Sequence, residues 1–277
     1  MKKVAKLLTF VFVSVLLLSN TVMAAPSKQS LALPDDASVN RSSYTSNDVQ
    51  LMDKVHKMVV KRGLASLNSD GTIEINTNSL ELGVNENLFI KYLKNISDKN
   101  FAVKEGALSI DGDFNVKIAS TEEIIKAVSD KDKQKSMLSP RIIIDPNELP
   151  GLNAYNQARS NRDAVKSIYN AGYTGGTSAA ACFSRALAYW VAKVRPNGAW
   201  DYKVVSGYSP YSRQWNAHTR YASSAQTTEW FGNYAYGLSG SFLFPLSTLL
   251  SGGYYAGMGA EDSNDTQSIT WGYMSVN

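Results

Sequence analysis

Apolar residues in the N-terminal half of the chain recur at the spacing of helices and of strands in turn. Residues 48–61 and 85–100 carry apolar side chains three and four positions apart, which predicts two amphipathic helices. Between them, Asn68-Ser69-Asp70-Gly71 predicts a turn that leads into a strand over residues 72–75. This alternation indicates a unit that contains both helices and strands.

The same half continues with a predicted hairpin and a third helix. Residues 107–110 and 114–118 flank Asp111-Gly112-Asp113, which is typical of two antiparallel strands joined by a tight turn. Ser120 stands three residues before Glu123, so each side chain can bond the other residue's backbone amide at a helix start. Nothing in this half indicates catalysis, and the pattern predicts a small α+β domain.

The C-terminal half also has apolar residues at helical spacing. Residues 156–170 and 179–194 predict two helices separated by glycines, and Thr177 or Ser178 is placed to cap the second one. Residues 199–204 alternate like a short strand. The predicted fold class is therefore α+β, with a small α+β N-terminal domain followed by a mainly α-helical, aromatic- and glycine-rich C-terminal domain.

Residues 1–24 have the three regions of a secretory signal peptide. Lysines at positions 2, 3 and 6 precede an apolar run over residues 7–18, and a cleavage site is expected after Ala24. The run is shorter than the roughly 20 residues that a membrane-spanning helix needs. We expect a secreted protein with no stable membrane span after cleavage, and an uncleaved membrane anchor is the alternative.

The composition of the remaining chain changes near residue 150. All five tryptophans follow that point, whereas only two of the fifteen tyrosines precede it. Prolines at positions 140, 146 and 150 disfavour a regular helix at the junction. The predicted organisation is a signal peptide over residues 1–24, an N-terminal accessory or pro-domain over residues 25–138, a proline-rich linker over residues 139–151 and a C-terminal domain over residues 152–277.

Charge and cysteine content narrow the classes of function. The net charge of the whole chain is +4, but the predicted signal peptide carries +3 of it. Residues 25–150 carry −2 and residues 151–277 carry +3, so basicity alone does not indicate a nucleic-acid surface. The single cysteine, Cys182, excludes an intramolecular disulfide, and stability therefore depends on a packed core.

Three segments of the C-terminal half resemble the bacterial toxin 44 family, one of the C-terminal modules of polymorphic toxins. They are Val194-Arg195-Pro196-Asn197-Gly198-Ala199-Trp200-Asp201-Tyr202-Lys203, Phe231-Gly232-Asn233-Tyr234-Ala235-Tyr236-Gly237 with Gly240, and Asp262-Ser263-Asn264-Asp265 leading to Ile269 and Gly272. The resemblance covers roughly residues 155–277. It implies a toxin used in conflict between bacteria, with a cognate immunity protein as a partner.

Seven polar residues in this region are candidate catalytic groups. Asp201 and Lys203 would share one face of the predicted strand, and His218 with Arg220 would do so in an extended segment. A histidine base beside an arginine or lysine suits metal-free cleavage of RNA, and two carboxylates in different surroundings can divide acid and base roles. The catalytic candidates are Asp201, Lys203, His218, Arg220, Glu229, Asp262 and Asp265.

Neighbouring aromatic and amide side chains are candidates for substrate binding, namely Trp200, Tyr202, Asn233 and Tyr236. Structural roles are the alternatives, because Asp201 and Lys203 can form a surface pair and Asp262 and Asp265 can cap the last helix. A cation site built from Asp262, Asp265 and Glu229 matches no standard loop, and no metal or other cofactor is predicted.

Cys182 offers a second chemistry. It follows a glycine-rich loop and lies one turn into a predicted helix, where the pKa of a thiol can be lowered, and His218 could act as its base. This arrangement would fit a cell-wall peptidase. The flanking residues Ala181 and Phe183 instead favour a buried helix face with Cys182 in the core.

The sequence thus favours a secreted bacterial toxin whose C-terminal domain hydrolyses RNA in competing bacteria. Hydrolysis of peptidoglycan is the first alternative. A non-enzymatic membrane-active or binding protein, suggested by the glycine and aromatic run over residues 231–259, is the second. The expected partners are the target macromolecule, RNA or peptidoglycan, and the immunity protein.

Overall fold

The computed structural model describes residues 40–136, 149–256 and 263–276. Helices and small sheets alternate along them, which confirms the predicted α+β class. These residues form two compact units: unit A contains those of 36–127 and 166–186, and unit B contains those of 128–165 and 187–277. The signal peptide and nearly all of the linker lie outside the described residues, so the bounds expected from composition remain a prediction.

The first described segment alternates helices with short antiparallel strands. Its elements are α1 (Ser46–Lys61), β1 (Ala65–Leu67), β2 (Ile73–Ile75), α2 (Ser79–Leu82), α3 (Glu86–Lys104), β3 (Leu108–Ile110), β4 (Val116–Ile118) and α4 (Thr121–Ser136). Strand β1 pairs with β2, and β3 pairs with β4. The β3–β4 hairpin, strand β2 and all three longer helices were predicted from the hydrophobic pattern and the turn residues, whereas β1 was not predicted.

Side chains placed before the helices explain where these helices begin. Glu123 accepts a hydrogen bond from the Ser120 amide at 2.7 Å, and the Ser120 hydroxyl accepts one from the Glu123 amide at 3.2 Å. This confirms the predicted reciprocal cap of α4. Asn85 caps α3 in a similar way by accepting from the Leu88 amide at 3.2 Å.

Unit A contains a buried polar centre at Asp98 on α3, which is 2% exposed. Its carboxylate accepts from the Tyr44 hydroxyl at 2.9 Å, the Ser167 hydroxyl at 2.8 Å and the Asn170 amide at 3.2 Å. Because a buried carboxylate needs donors around it, these bonds explain why residues 166–186 belong to the same unit as residues 36–127.

The rest of the described chain is mainly helical. Its elements are β5 (Gly151–Leu152), α5 (Ala154–Thr174), α6 (Ala179–Val194), β6 (Gln214–His218), β7 (Ser223–Thr227), α7 (Thr228–Gly240), α8 (Leu246–Ala256) and α9 (Ser263–Met274). Strand β6 is the centre of a three-stranded sheet, parallel to β5 and antiparallel to β7. A core of aliphatic and aromatic side chains, including Trp215, Phe231 and Leu238, lies between this sheet and α7.

Helix α5 continues four residues beyond the predicted end at residue 170, through Gly172. A Cβ on Gly172 would lie only 3.2 Å from the Cys182 sulfur. The glycine therefore serves the close packing of α5 against α6 and does not end the helix.

The strand predicted over residues 199–204 is wrong, because these residues form consecutive turns. The Asp201 amide donates to the Gly198 carbonyl at 3.0 Å, and the Val204 amide donates to the Asp201 carbonyl at 3.1 Å. Asn197 has a φ of 63°, which reverses the chain after α6. The predicted common face of Asp201 and Lys203 does not form.

Helices α7 and α9 approach so closely that two glycines are required at their contact. A Cβ on Gly237 would overlap the backbone carbonyl of Ile269, and a Cβ on Gly272 would overlap the backbone carbonyl of Tyr234. The two backbones are therefore in direct contact. This contact places α9 against α7, the helix that directly follows β7.

Candidate functional site

Four of the candidate residues lie along one side of α7. The Lys203 ammonium is 3.4 Å from the Glu229 carboxylate, and the Asn233 amide donates to Asp265 at 2.5 Å. Glu229 and Asn233 are four residues apart, so they share one face of the helix. We call Lys203, Glu229, Asn233 and Asp265 the α7 polar row.

Every carboxylate of the α7 polar row already has a protein partner. Glu229 pairs with Lys203, and Asp265 accepts from Asn233 in the first turn of α9, where a helix favours an acidic residue. The position of Asp265 in this first turn agrees with the helix-capping role that was the alternative to catalysis. Asp262 lies outside the described residues.

Asp201 and three substrate-binding candidates have structural contacts instead. The Asp201 carboxylate accepts from the Asn197 amide at 2.8 Å, and burial raises its pKa. Tyr202 is 3% exposed and its hydroxyl accepts from Asn161 at 2.9 Å. Tyr202 therefore lies in the core, and its contact with substrate stays a prediction that this burial does not favour. The rings of Trp200 and Tyr236 pack against Tyr189 and Trp190, respectively.

The other two catalytic candidates lie at the end of the β6–β7 hairpin. His218 is the last residue of β6, and its Nδ1 is 2.6 Å from the Ser223 hydroxyl across the hairpin. Arg220 is not on the strand as predicted, because the Thr219 amide turns the chain by donating to Ala222 at 2.8 Å. The Arg220 guanidinium reaches the Ser275 carbonyl at 3.3 Å.

An exposed aromatic surface adjoins this hairpin end. Trp271 is 46% exposed and packs edge-on against Trp230 at 6.4 Å, and Tyr221 is 71% exposed with Arg220 over its ring at 5.5 Å. Ser275 connects the two pairs, since it follows Trp271 by one helical turn and accepts from Arg220 through its carbonyl. We call Arg220, Tyr221, Trp230 and Trp271 the aromatic face.

Sequence reasoning missed the exposed Tyr221 and Trp271 and the half-buried Trp230 that packs against Trp271. The exposure of Tyr221 could have been inferred from the sequence, because Tyr221 lies in the loop between two segments of alternating polarity. The contact between α7 and α9 that brings Trp230 beside Trp271 has no counterpart in local spacing.

Cys182 is fully buried, and burial raises the pKa of its thiol to about 11. Its sulfur is 3.6 Å from the Thr177 carbonyl and packs beside Gly172. A nucleophilic cysteine needs the opposite, namely an accessible thiol of lowered pKa. The buried core interpretation of Cys182 is therefore favoured over the peptidase interpretation.

We expect the Cys182 thiol to resist alkylation by iodoacetamide in the folded protein and to react fully in denaturant. Burial keeps the reagent away from the sulfur, and the raised pKa keeps the thiol protonated at pH 8. Mass spectrometry of the protein treated at pH 8 measures the modified fraction. Rapid modification without denaturant would contradict the buried position.

The described part of the chain has neither a cluster of metal ligands nor a helix that could span a membrane. Within residues 40–136, 149–256 and 263–276, no three His, Cys, Asp or Glu side chains are grouped so that they could hold a metal ion. No helix in the same ranges combines the length and the apolar character needed to cross a membrane.

Comparisons with protein-family models, with curated proteins and with solved structures find no match to this chain. The resemblance to the toxin family therefore depends on the three quoted segments alone.

Proposed function

We propose that the protein is a secreted bacterial toxin that cleaves RNA at the end of the β6–β7 hairpin. The observation that carries the proposal is the aromatic face, which includes Arg220 and follows His218 at the end of the hairpin. The resemblance to the bacterial toxin 44 family supports the role in competition between bacteria, and an immunity protein would be its partner.

The aromatic face has the two properties that single-stranded nucleic acid requires. Exposed rings such as Trp271 and Tyr221 offer surfaces on which unpaired bases stack, which contributes about 1–3 kcal/mol per base. Arg220 adds a positive charge beside those rings, where it can contact the phosphate backbone. A local cation among aromatic rings supports RNA binding even though the net charge of the chain is small.

The proposed chemistry uses His218 as the general base. Its Nδ1 is bonded to Ser223, which leaves Nε2 to take the proton of a ribose 2′-hydroxyl. Gly151 carries no side chain near this nitrogen, and a Cβ there would lie 3.8 Å from it. The 2′-oxygen attacks phosphorus, the bond to the 5′-oxygen breaks, and the leaving oxygen takes a proton from water. The hydroxide that remains takes the proton from the His218 imidazolium, which restores water and the neutral base. Arg220 stabilises the charge on the phosphoryl oxygens.

The two alternatives have less support among the described residues. Cell-wall cleavage by Cys182 would need an accessible thiol, whereas this thiol is buried. Membrane activity of residues 231–259 would need exposed apolar side chains, whereas Phe231, Leu238 and Leu249 are buried.

The proposal is tested by producing the chain in bacterial cytoplasm without residues 1–24, and in parallel with them. The whole remaining chain is used because residues 166–186 belong to unit A. We expect growth arrest and degraded RNA from the cytoplasmic form only. His218→Ala or Arg220→Ala should lower the cleavage rate about 100-fold or more and restore growth.

Arg159→Ala is the matched control, since it removes an exposed arginine of unit B that pairs only loosely with Asp163 at 3.7 Å. It should remain toxic. Intact RNA in arrested cells would refute the ribonuclease, and lysis by the exported form alone would favour peptidoglycan. Loss of activity in Glu229→Gln with full activity in His218→Ala would move the chemistry to the α7 polar row.

A further inference from the structure

Unit A contains a small polar cavity that the proposed toxin chemistry does not use. Its volume is about 40 Å³, and its polar lining consists of Asp53, His56, Tyr92, Asn95, Lys99 and Thr174. These residues come from α1, α3 and the end of α5. Asp53 is exposed, so this side of the cavity reaches the surface of the unit.

The lining of this cavity contains one ammonium, Lys99, and one carboxylate, Asp53, whose charge partly offsets that of Lys99. Within the described residues, Lys99 has no hydrogen-bond or ion-pair partner, and its side chain is half-buried. Asp53 is the one carboxylate of the lining, and it is bonded to Lys57 at 2.6 Å. Burial lowers the pKa of Lys99, and burial together with the nearby Lys99 lowers that of His56. A half-buried ammonium without a protein acceptor is partly desolvated and can accept an anionic partner.

The remaining polar groups of the lining bond mainly with one another. The Asn95 amide donates to the Thr174 hydroxyl at 2.7 Å, and that hydroxyl donates to the Asn170 carbonyl at 3.0 Å. The Tyr92 hydroxyl is 3.0 Å from Nδ1 of His56. If Tyr92 donates to Nδ1, the neutral imidazole carries its proton on Nε2 and is a donor there. In that tautomer the lining has two donors for an anion, the Lys99 ammonium and the His56 ring.

We propose that this cavity binds one small monovalent anion, a halide or a carboxylate of the size of formate, between the Lys99 ammonium and the His56 ring. The volume sets the size limit, because a cavity of about 40 Å³ holds about three water molecules. A larger ion such as gluconate does not fit. The bound charge supplies the acceptor that Lys99 lacks and joins α1 to α3.

Thermal unfolding of the purified full chain in sodium chloride, sodium formate and sodium gluconate at equal ionic strength tests the site. Chloride and formate should raise the Tm in a saturable manner, by about 3 °C at tenfold excess over the dissociation constant, relative to gluconate. Lys99→Met should abolish the difference. It should fold, because a half-buried charge without a hydrogen-bond partner is replaced by an apolar side chain of similar length.

Lys54→Met is the matched control, since it removes an exposed lysine of α1 that does not line the cavity. It should keep the wild-type anion response. An equal response to all three salts in the wild type, or an unchanged response in Lys99→Met, overturns the proposal.

The two histidines of the chain provide a second measurement that needs no variant. The NMR signal of the His56 ring should shift on titration with formate and with chloride, and not with gluconate. The exposed His218 serves as an internal reference whose signal should stay unchanged. A fixed His56 signal, or equal shifts of both histidines, contradicts a specific site. This outcome is independent of RNA cleavage.

Discussion

Gly237→Ala should lower the free energy of unfolding of unit B by about 3 kcal/mol, the upper end of the usual cost of overpacking. The added Cβ would overlap the backbone carbonyl of Ile269, and backbone cannot move aside as a flexible side chain can. Helices α7 and α9 would have to separate along their main contact. Thermal unfolding followed by circular dichroism should show a Tm lower by roughly 10 °C.

Gly232→Ala is a control in the same helix. A Cβ on Gly232 would have only the Lys203 side chain near it, at 4.0 Å, which is ordinary contact. Alanine favours helix over glycine by about 1 kcal/mol, so this variant should be as stable as the wild type or more stable. Equal stability of the two variants would show that α7 and α9 are not in backbone contact.

Asp98→Ala should destabilise unit A by about 3 kcal/mol. The change removes the shared acceptor of three donors, namely the buried Tyr44 hydroxyl and Asn170 amide and the half-buried Ser167 hydroxyl. Urea denaturation should show a lower midpoint for unit A. The hydroxyl and amide groups lose their partner together, because all three bonds converge on one carboxylate.

Asp53→Ala provides the comparison, since it removes the same charge from an exposed position. Asp53 pairs with Lys57 one helical turn away, and both side chains are more than half exposed. The free energy of unfolding should change by less than about 0.5 kcal/mol. Similar losses from both substitutions would mean that net charge, and not the buried network, governs the stability of unit A.

Local signals in the sequence were sufficient for most elements of the fold. The reciprocal cap of Ser120 and Glu123 and the Asp111-Gly112-Asp113 turn depend on contacts a few residues apart, and the structure has both. The strand prediction for residues 199–204 was wrong because it also depended on local pattern alone. Its alternating pattern suits a strand, but no neighbouring strand pairs with it, and the reversal at Asn197 folds it against α6.

The candidate site was harder to predict, because its geometry depends on residues distant in the chain. Lys203 meets Glu229 and Asn233 meets Asp265 only after α7 has formed and α9 has packed on it. The exposure of Tyr221 and Trp271 and the burial of Tyr202 depend on the same packing. Local spacing contains no information about these contacts, so the sequence could propose candidate residues but could not say which of them lie together on one surface.

The discontinuity of unit A has a consequence for the order of folding. The partners of Asp98 on α5 follow it by 69 and 72 positions, so this part of the chain cannot complete its buried network during the early stages of synthesis. Between emergence of the predicted signal peptide and synthesis of Asn170, translation takes roughly 10 to 30 s at the rates typical of cells. Throughout that interval the N-terminal half lacks its final partners. Unit A therefore cannot be complete during the period in which the predicted signal peptide would be recognised.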